Sequence, residues 1–420
     1  MHKFLAQRSP QQFLAGAVLI VLALVTEVLA THRLSAKLPV GLWWVGWTVV
    51  PGLVILVAIP LLLSPWRNKR IWHWLADLCL MAAVTIVLIF MLEGLFYVGN
   101  KIYARTQDNN PNYWSANRWR KLNLRDGSRA VTHLPDDILG YKNAPNLQVE
   151  TERLGHSNRV LFKARYTTDA YGHRITPLKE GGSRDKFMLF FADSLIFGDG
   201  VNDDETLPAQ TGDLALSYRP YNFGVSGYGP HQMMLQFQHG MVEPPVTEKS
   251  GLCLYLYIND HVRRVVGTIQ IYQRAANGPF YRLDNNTDLV TYQRSDLQRT
   301  WGGRLRLLLG ASNILQTLGF DSPNSGMREL LITSWTIQAS RDEFKRRFNS
   351  DEFYVIISPG AYNKDIIPYL QHAGIRYLDY SGLLDPDNPQ YHLFQDRHFS
   401  RLGYQKMAEQ LAADLRLAQK

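Results

Sequence analysis

Cysteine is almost absent: Cys79 and Cys253 are the two in 420 residues. One falls in an apolar run and the other in an expected core strand, so a disulfide between them is not expected. Their scarcity is compatible with an oxidising compartment without requiring one. No group of Cys, His, Asp and Glu has ligand spacing, so no metal is implied. The P-loop and the glycine fingerprint of dinucleotide sites are both missing, and no cofactor is expected. The hydrolase signature G-x-S-x-G is missing as well, because Ser226 in Gly224-Val225-Ser226-Gly227 does not supply it. The net charge of +8 is spread over scattered Lys and Arg. Without a basic run interleaved with aromatics, a nucleic-acid partner is not expected. There is no internal repeat and no low-complexity tract.

What is abundant is apolar sequence in the first hundred residues. Three runs, Phe13 to Ala30, about Val40 to Leu63 and about Trp74 to Val98, are each long enough to span a bilayer. A cleaved signal peptide is the rival reading of the first. Thr31-His32-Arg33 follows it without a small-x-small site, and two more runs come at once. Trp43, Trp44 and Trp47 suit a membrane interface, and Pro51 and Pro60 bend the second run. Asp77 and Glu93 stand near the ends of the third, where they are read as interfacial against the alternative of a functional role at membrane depth. Arg67, Lys69 and Arg70 crowd the second loop and place it in the cytoplasm. Residues from about 100 onward are then outside it, in a multi-pass protein whose first partner is the lipid bilayer.

The remainder has the mixed composition of a water-exposed α/β region. Residues 100–185 carry turn signals between short β-rich runs such as Val160 to Thr167, which predicts a small β-rich lead-in segment. From 186 apolar strands alternate with helical patterns. Strands are expected near 186–191, 219–223, 252–258, 353–358 and 375–379, with helices near 207–217, 230–239, 327–348, 366–372 and 403–417. That alternation predicts a parallel sheet flanked by helices. An insertion at about 263–326 has poor periodicity and the breakers Gly278-Pro279, Asn285-Asn286 and Gly302-Gly303, and is read as a lid or substrate-selecting wall.

Four strand ends carry candidate chemistry. The run Lys186 to Phe191 stops at Ala192-Asp193-Ser194, a buried strand delivering a serine to the carboxyl edge of the sheet, where ligands bind. Asn222-Phe223-Gly224-Val225-Ser226-Gly227 is a glycine-rich turn that either presents a backbone N–H to an anion or merely connects. Asn259-Asp260 follows the third strand and is either a helix N-cap or a pair of functional side chains. Asp396-Arg397-His398 sits ahead of the last helix, where a general base would stand, with a surface-loop histidine as the alternative.

Taken together, the order Asp-Ser, Gly, Asn-Asp, then Asp and His resembles the SGNH/GDSL hydrolase superfamily over roughly residues 186–417. The blocks "LGYKNAPN" and "YTTDAYGHR" upstream look like the lead-in of membrane-anchored bacterial members. The resemblance implies a flavodoxin-like SGNH-hydrolase fold in 186–420, preceded by three transmembrane helices in 1–99 and the β-rich segment in 100–185. It implies Ser194 as nucleophile, His398 as general base and Asp396 as its orienting carboxylate, with Ser194 N–H, Gly227 and Asn259 forming the oxyanion hole. Two departures stand out: Ala192 replaces the usual Gly, and one residue separates Asp396 from His398 where many relatives have two.

The implied activity is that of a serine esterase acting on O-acyl groups, acetyl above all, of an extracytoplasmic glycan or glycolipid. Its place would be the bacterial inner membrane with the catalytic domain periplasmic, alongside proteins of polysaccharide synthesis or export. The same residues would serve an O-acyltransferase, in which a sugar hydroxyl takes the acyl group in place of water. A catalytically silent glycan-binding or scaffold subunit is the reading from another class. Arg263 and Arg264, close behind Asn259, are candidates to bind an anionic substrate, against the alternative of a solvated helix face.

Overall fold

The computed structural model describes residues 69–106, 118–122, 133–154, 160–272, 278–283, 290–294, 301–322, 326–396 and 398–417. The first two expected membrane runs lie outside these residues. The third is part of a helix, Lys69–Thr106, within which Val84–Thr106 is long and apolar enough to cross a membrane. Of the described residues, 69–101 with 304–320 form one compact unit, and those from 102 to 303 with those from 321 to 417 form another.

In the second unit the lead-in is strand-rich as expected: β1 (Arg118–Leu122), β2 (His133–Asp136), β3 (Gly140–Asn143), β4 (Gln148–Leu154) and β5 (Val160–Thr167). β4 pairs antiparallel with β1 and β5, and β2 with β3. The lead-in shares its compact unit with the sheet that follows.

That sheet contains β6 (Lys186–Phe191), β7 (Tyr218–Asn222), β8 (Ser250–Tyr257), β11 (Phe353–Ile357) and β12 (Arg376–Asp379), while β9 (Pro279–Leu283) and β10 (Val290–Arg294) make a separate hairpin in the insertion. Its order is β12-β11-β8-β6-β7 with every pair parallel. β6 reads as an unbroken apolar run because Phe187 to Phe191 are all buried at the centre of the sheet, with both faces covered. The order reverses between β6 and β8, the flavodoxin-like switch point outside which a crevice opens at the carboxyl ends.

The helices form where the 3.6-residue pattern places them: Leu207–Leu214, Pro230–Gln238, Met327–Phe348, Ile367–His372 and Arg401–Asp414. Thr206 caps the first by accepting Ala209 N–H, and Ser400 caps the last by accepting Gly403 N–H. The insertion is more regular than its weak periodicity suggests. Besides the β9–β10 hairpin it holds the end of helix Asp260–Val266 and the helices Ile269–Tyr272, Trp301–Ala311 and Asn313–Thr317, short elements over which hydrophobic periodicity has little length to register.

One buried side chain fastens the lead-in to the sheet. Arg174, 2 % exposed, pairs through Nε with Asp203 at 2.8 Å and donates to the carbonyls of Phe197, Gly198, Arg165 and Val201. Its guanidinium also lies over the Tyr166 and Phe197 rings. Removing one partner of a buried pair leaves an uncompensated charge. We expect Arg174→Ala to lose about 3–5 kcal/mol of stability in urea unfolding, and Arg174→Lys to recover little of it, because an ammonium cannot reproduce the fork of donors.

Candidate active site

β6 delivers its serine through a tight turn. Asp193 stands at the N-cap of the one-turn helix Ser194–Phe197, and its Oδ1 accepts Leu195 N–H at 3.0 Å. Ala192 does not adopt a positive φ, so the methyl that replaces a glycine hydrogen meets no backbone strain.

Ser194 Oγ lies 2.7 Å from His398 Nε2. On the far side of the ring, Nδ1 makes a short hydrogen bond to Asp396 Oδ1, which also accepts His398 N–H at 3.0 Å. The single intervening residue is what allows one carboxylate oxygen to hold both the backbone and the ring of the same histidine. With the proton kept on Nδ1, Nε2 is left to accept from the serine hydroxyl. The other carboxylate oxygen of Asp396 faces Arg153 Nε of β4 at 3.5 Å.

Charge in the site is arranged to match. Burial raises the affinity of Asp396 for a proton, but His398 and Arg153 outweigh it and hold the carboxyl below its ordinary range. Burial lowers the pKa of His398, yet Asp396 and Asp199 together raise it above the usual histidine value. Burial pushes Asp199 upward against the pull of His398 and Arg174. The ring is thereby poised to take a proton from Ser194.

Three N–H groups expected at the oxyanion hole, Ser194 N–H, Gly227 N–H and the Asn259 amide, donate to no acceptor among the described residues. Asn259 stands at the N-cap of helix Asp260–Val266, but its side chain does not cap it. Its Oδ1 instead accepts Tyr257 O–H at 3.2 Å, which turns the NH₂ away from Tyr257. Asn363 Oδ1 accepts the Asn259 backbone N–H at 2.8 Å and fixes the position further. Gly227 adopts φ +91°, and a Cβ there would stand 2.5 Å from Tyr141 Oη, so both conformation and space demand glycine.

The loops are tied to one another. Ser226, just before Gly227, donates its hydroxyl to Asp199 Oδ2 at 2.8 Å, and its carbonyl accepts Tyr141 O–H at 2.9 Å. Burial pushes the Tyr141 phenol up to about 12, so it remains a donor. Arg264 joins all three blocks: from the helix that opens after Asn259 it donates through Nη1 to Asp193 Oδ2 at 2.6 Å and to Tyr228 O at 2.8 Å. His261 Nε2 faces the same Asp193 oxygen at 3.5 Å. Burial would raise Asp193, but Arg264 and His261 hold it far below the carboxylate range.

The reading of Arg263 and Arg264 as an anionic-substrate site is therefore corrected. Arg264 is committed to Asp193, and Arg263 is committed to Asp321 at 2.6 Å, with Asp260 and Gln270 alongside. Four contributors were missed in the sequence: Arg153, Tyr141, Asp199 and Asn363. Tyr141 lies within the "LGYKNAPN" block and Asp199 in the glycine-rich stretch after the serine, but neither pattern specifies a partner. Arg153 and Asn363 sit in stretches with no motif. A cavity of about 570 Å³ lined by Lys364, Tyr377, Asp379, Ser381, Gln410 and Asp414 holds none of the triad.

No family model and no curated protein matches the sequence. Among solved structures it is similar to a lipolytic protein of the G-D-S-L family from Veillonella parvula, with TM-score 0.33, 12 % identity, 55 % of this chain and 97 % of that one covered. A putative lipolytic protein of that family from Desulfitobacterium hafniense gives TM-score 0.32, 14 % identity and 54 % and 98 % coverage. Similarity this distant transfers no residue role, and the assignments here rest on the geometry.

The base must be neutral to act, so kcat/KM should fall as pH drops through the His398 pKa, with the acid limb above the ordinary value of 6.5. Removing a neighbouring negative charge lowers that pKa. Asp199→Asn should displace the limb to lower pH in a pH–rate profile. Tyr141→Phe should lower kcat by a factor of roughly 3–10 with little change in KM, the worth of one hydrogen bond holding the Gly227 turn.

Proposed function

We propose that the chain is a membrane-anchored serine esterase that removes O-acyl groups, acetyl among them, from a glycan or glycolipid outside the cytoplasm. The observation that carries this reading is Ser194 Oγ at 2.7 Å from His398 Nε2, with Asp396 bonded behind the ring. In the proposed reaction His398 takes the hydroxyl proton as Ser194 Oγ attacks the ester carbonyl, and the oxyanion takes hydrogen bonds from Ser194 N–H, Gly227 N–H and the Asn259 amide. His398 then returns the proton to the leaving alcohol, and the acyl group stays on Ser194. Water, deprotonated by His398, attacks the acyl-enzyme and frees the carboxylate.

The acyl ester as substrate class follows from this chemistry together with the resemblance to SGNH/GDSL hydrolases. Membrane anchoring is supported by the apolar helix Val84–Thr106, and the extracytoplasmic glycan by the likeness of the lead-in blocks to membrane-anchored bacterial members. Ser194 and His398 are each only half-buried, which leaves the acyl-enzyme open to water.

A fluorophosphonate should label the full chain and fail to label Ser194→Ala. Ser194→Ala and His398→Ala should each abolish most turnover of an aryl acetate, with the double variant within roughly threefold of the worse single, since such residues act as one unit. Asn259→Ala should lower kcat by roughly 10²–10³ while leaving KM nearly unchanged. Product analysis with an acetylated glycan should give free acetate. Acetyl transferred to an added sugar would reassign the chain as an acyltransferase, and full activity in folded Ser194→Ala would remove the enzyme reading.

A further inference from the structure

Glu93 interrupts an otherwise apolar helix, in the run Leu92-Glu93-Gly94-Leu95-Phe96. Within the span Val84–Thr106 it stands near the middle and not at an end, where the sequence alone leads one to expect it. A carboxylate within the hydrocarbon costs roughly 2.5–3.5 kcal/mol on insertion scales and is paired wherever it persists. Its partners come from the insertion, more than two hundred residues away in sequence. Ser312 Oγ donates to Glu93 Oε1 in a short bond, and Asn313 donates its backbone N–H at 2.7 Å and its amide at 3.3 Å to Glu93 Oε2. Seven residues along the helix, Asn100 Nδ2 donates to Thr317 Oγ1 at 3.0 Å. Both contacts fall within one compact unit, which joins the apolar helix to residues 304–320.

Among the described residues of this unit, both parts expose apolar side chains. Leu92, Leu95 and Val98 are exposed on the helix, and the docked segment exposes Leu305 by 54 %, Leu318 by 70 % and Phe320 by 48 %. Side chains of this size exposed beside a membrane-length helix match a lipid surface, while Ser312, Asn313 and Thr317 bond to Glu93 and Asn100.

We infer that residues 304–320 are a membrane-seated element: they dock on the apolar helix through Glu93 and Asn100 and place Leu305, Leu318 and Phe320 in the lipid. The insertion thus returns the chain to the bilayer. This rests on the membrane-anchored reading given above. The lipid-facing side chains contribute buried apolar area to membrane binding, and the Glu93 contacts keep the segment at a fixed depth.

The test uses the full chain on a Cys79→Ser, Cys253→Ala background, with Leu318→Cys, Phe320→Cys or Leu305→Cys carrying a bimane label. It is reconstituted in phosphatidylethanolamine and phosphatidylglycerol vesicles with brominated acyl chains. Lys179→Cys, on an exposed turn, is the aqueous control. The inference expects the three labels to be quenched several-fold more by bromolipid than by iodide, with the reverse at 179. If the chain stays in carbonate-washed membranes but the labels are quenched by iodide, or by neither agent, the inference falls and the membrane anchor stands. If carbonate extracts the chain, both fall. Leu305→Cys and Leu318→Cys lie at opposite ends of the segment, so a folding defect in one leaves the other to decide.

Discussion

The buried ion pair between Asp193 and Arg264 is the interaction on which the site depends. Asp193 immediately precedes the serine, Arg264 belongs to the helix that opens after Asn259, and the same guanidinium holds the Tyr228 carbonyl just beyond Gly227. One cation thus ties together the turns that carry Ser194, Gly227 and Asn259. A pair of this kind gives little net stability, because desolvation offsets most of its Coulomb energy, but breaking it leaves a charge stranded. His261 belongs to the same knot. Burial keeps its ring from charging, and Tyr255, whose phenol burial holds protonated, donates to Nδ1, so Nε2–H faces Asp193.

Around this knot the lead-in strands take part in the site itself. Arg153 from β4 faces the triad carboxylate, Tyr141 from β3 holds the turn before Gly227, and Arg174 gathers the carbonyls that follow the nucleophile helix. Each acts through another residue by fixing where a reacting group stands. Preorganisation of this sort matters because oxyanion donors contribute most when they need no rearrangement as charge develops.

The sheet was legible in the sequence because its strands are buried on both faces. Continuous runs such as Phe187 to Phe191 and Leu252 to Tyr257 stand out without alternation, and the helices between them keep a clear period. Ser194, Asp396 and His398 could be singled out because they stand at a strand end and ahead of the last helix, at the edge of the sheet where ligands bind. Arg264 was not, since an arginine on a helix reads as solvated until a carboxylate distant in sequence is seen beneath it. Arg153 and Asn363 were hidden for the same reason: their roles exist only through long-range pairing. The insertion misled because its elements are too short for hydrophobic periodicity to register.

The central claim is that Ser194 carries the acyl group during turnover. The most direct measurement is mass spectrometry of the full chain quenched in acid during steady-state hydrolysis of an aryl acetate, followed by peptide mapping. The account predicts an acetyl group on the peptide containing Ser194, absent from unreacted protein and from His398→Ala. Turnover that continues with no acetyl at Ser194, or with acetyl on another side chain in its place, would contradict it.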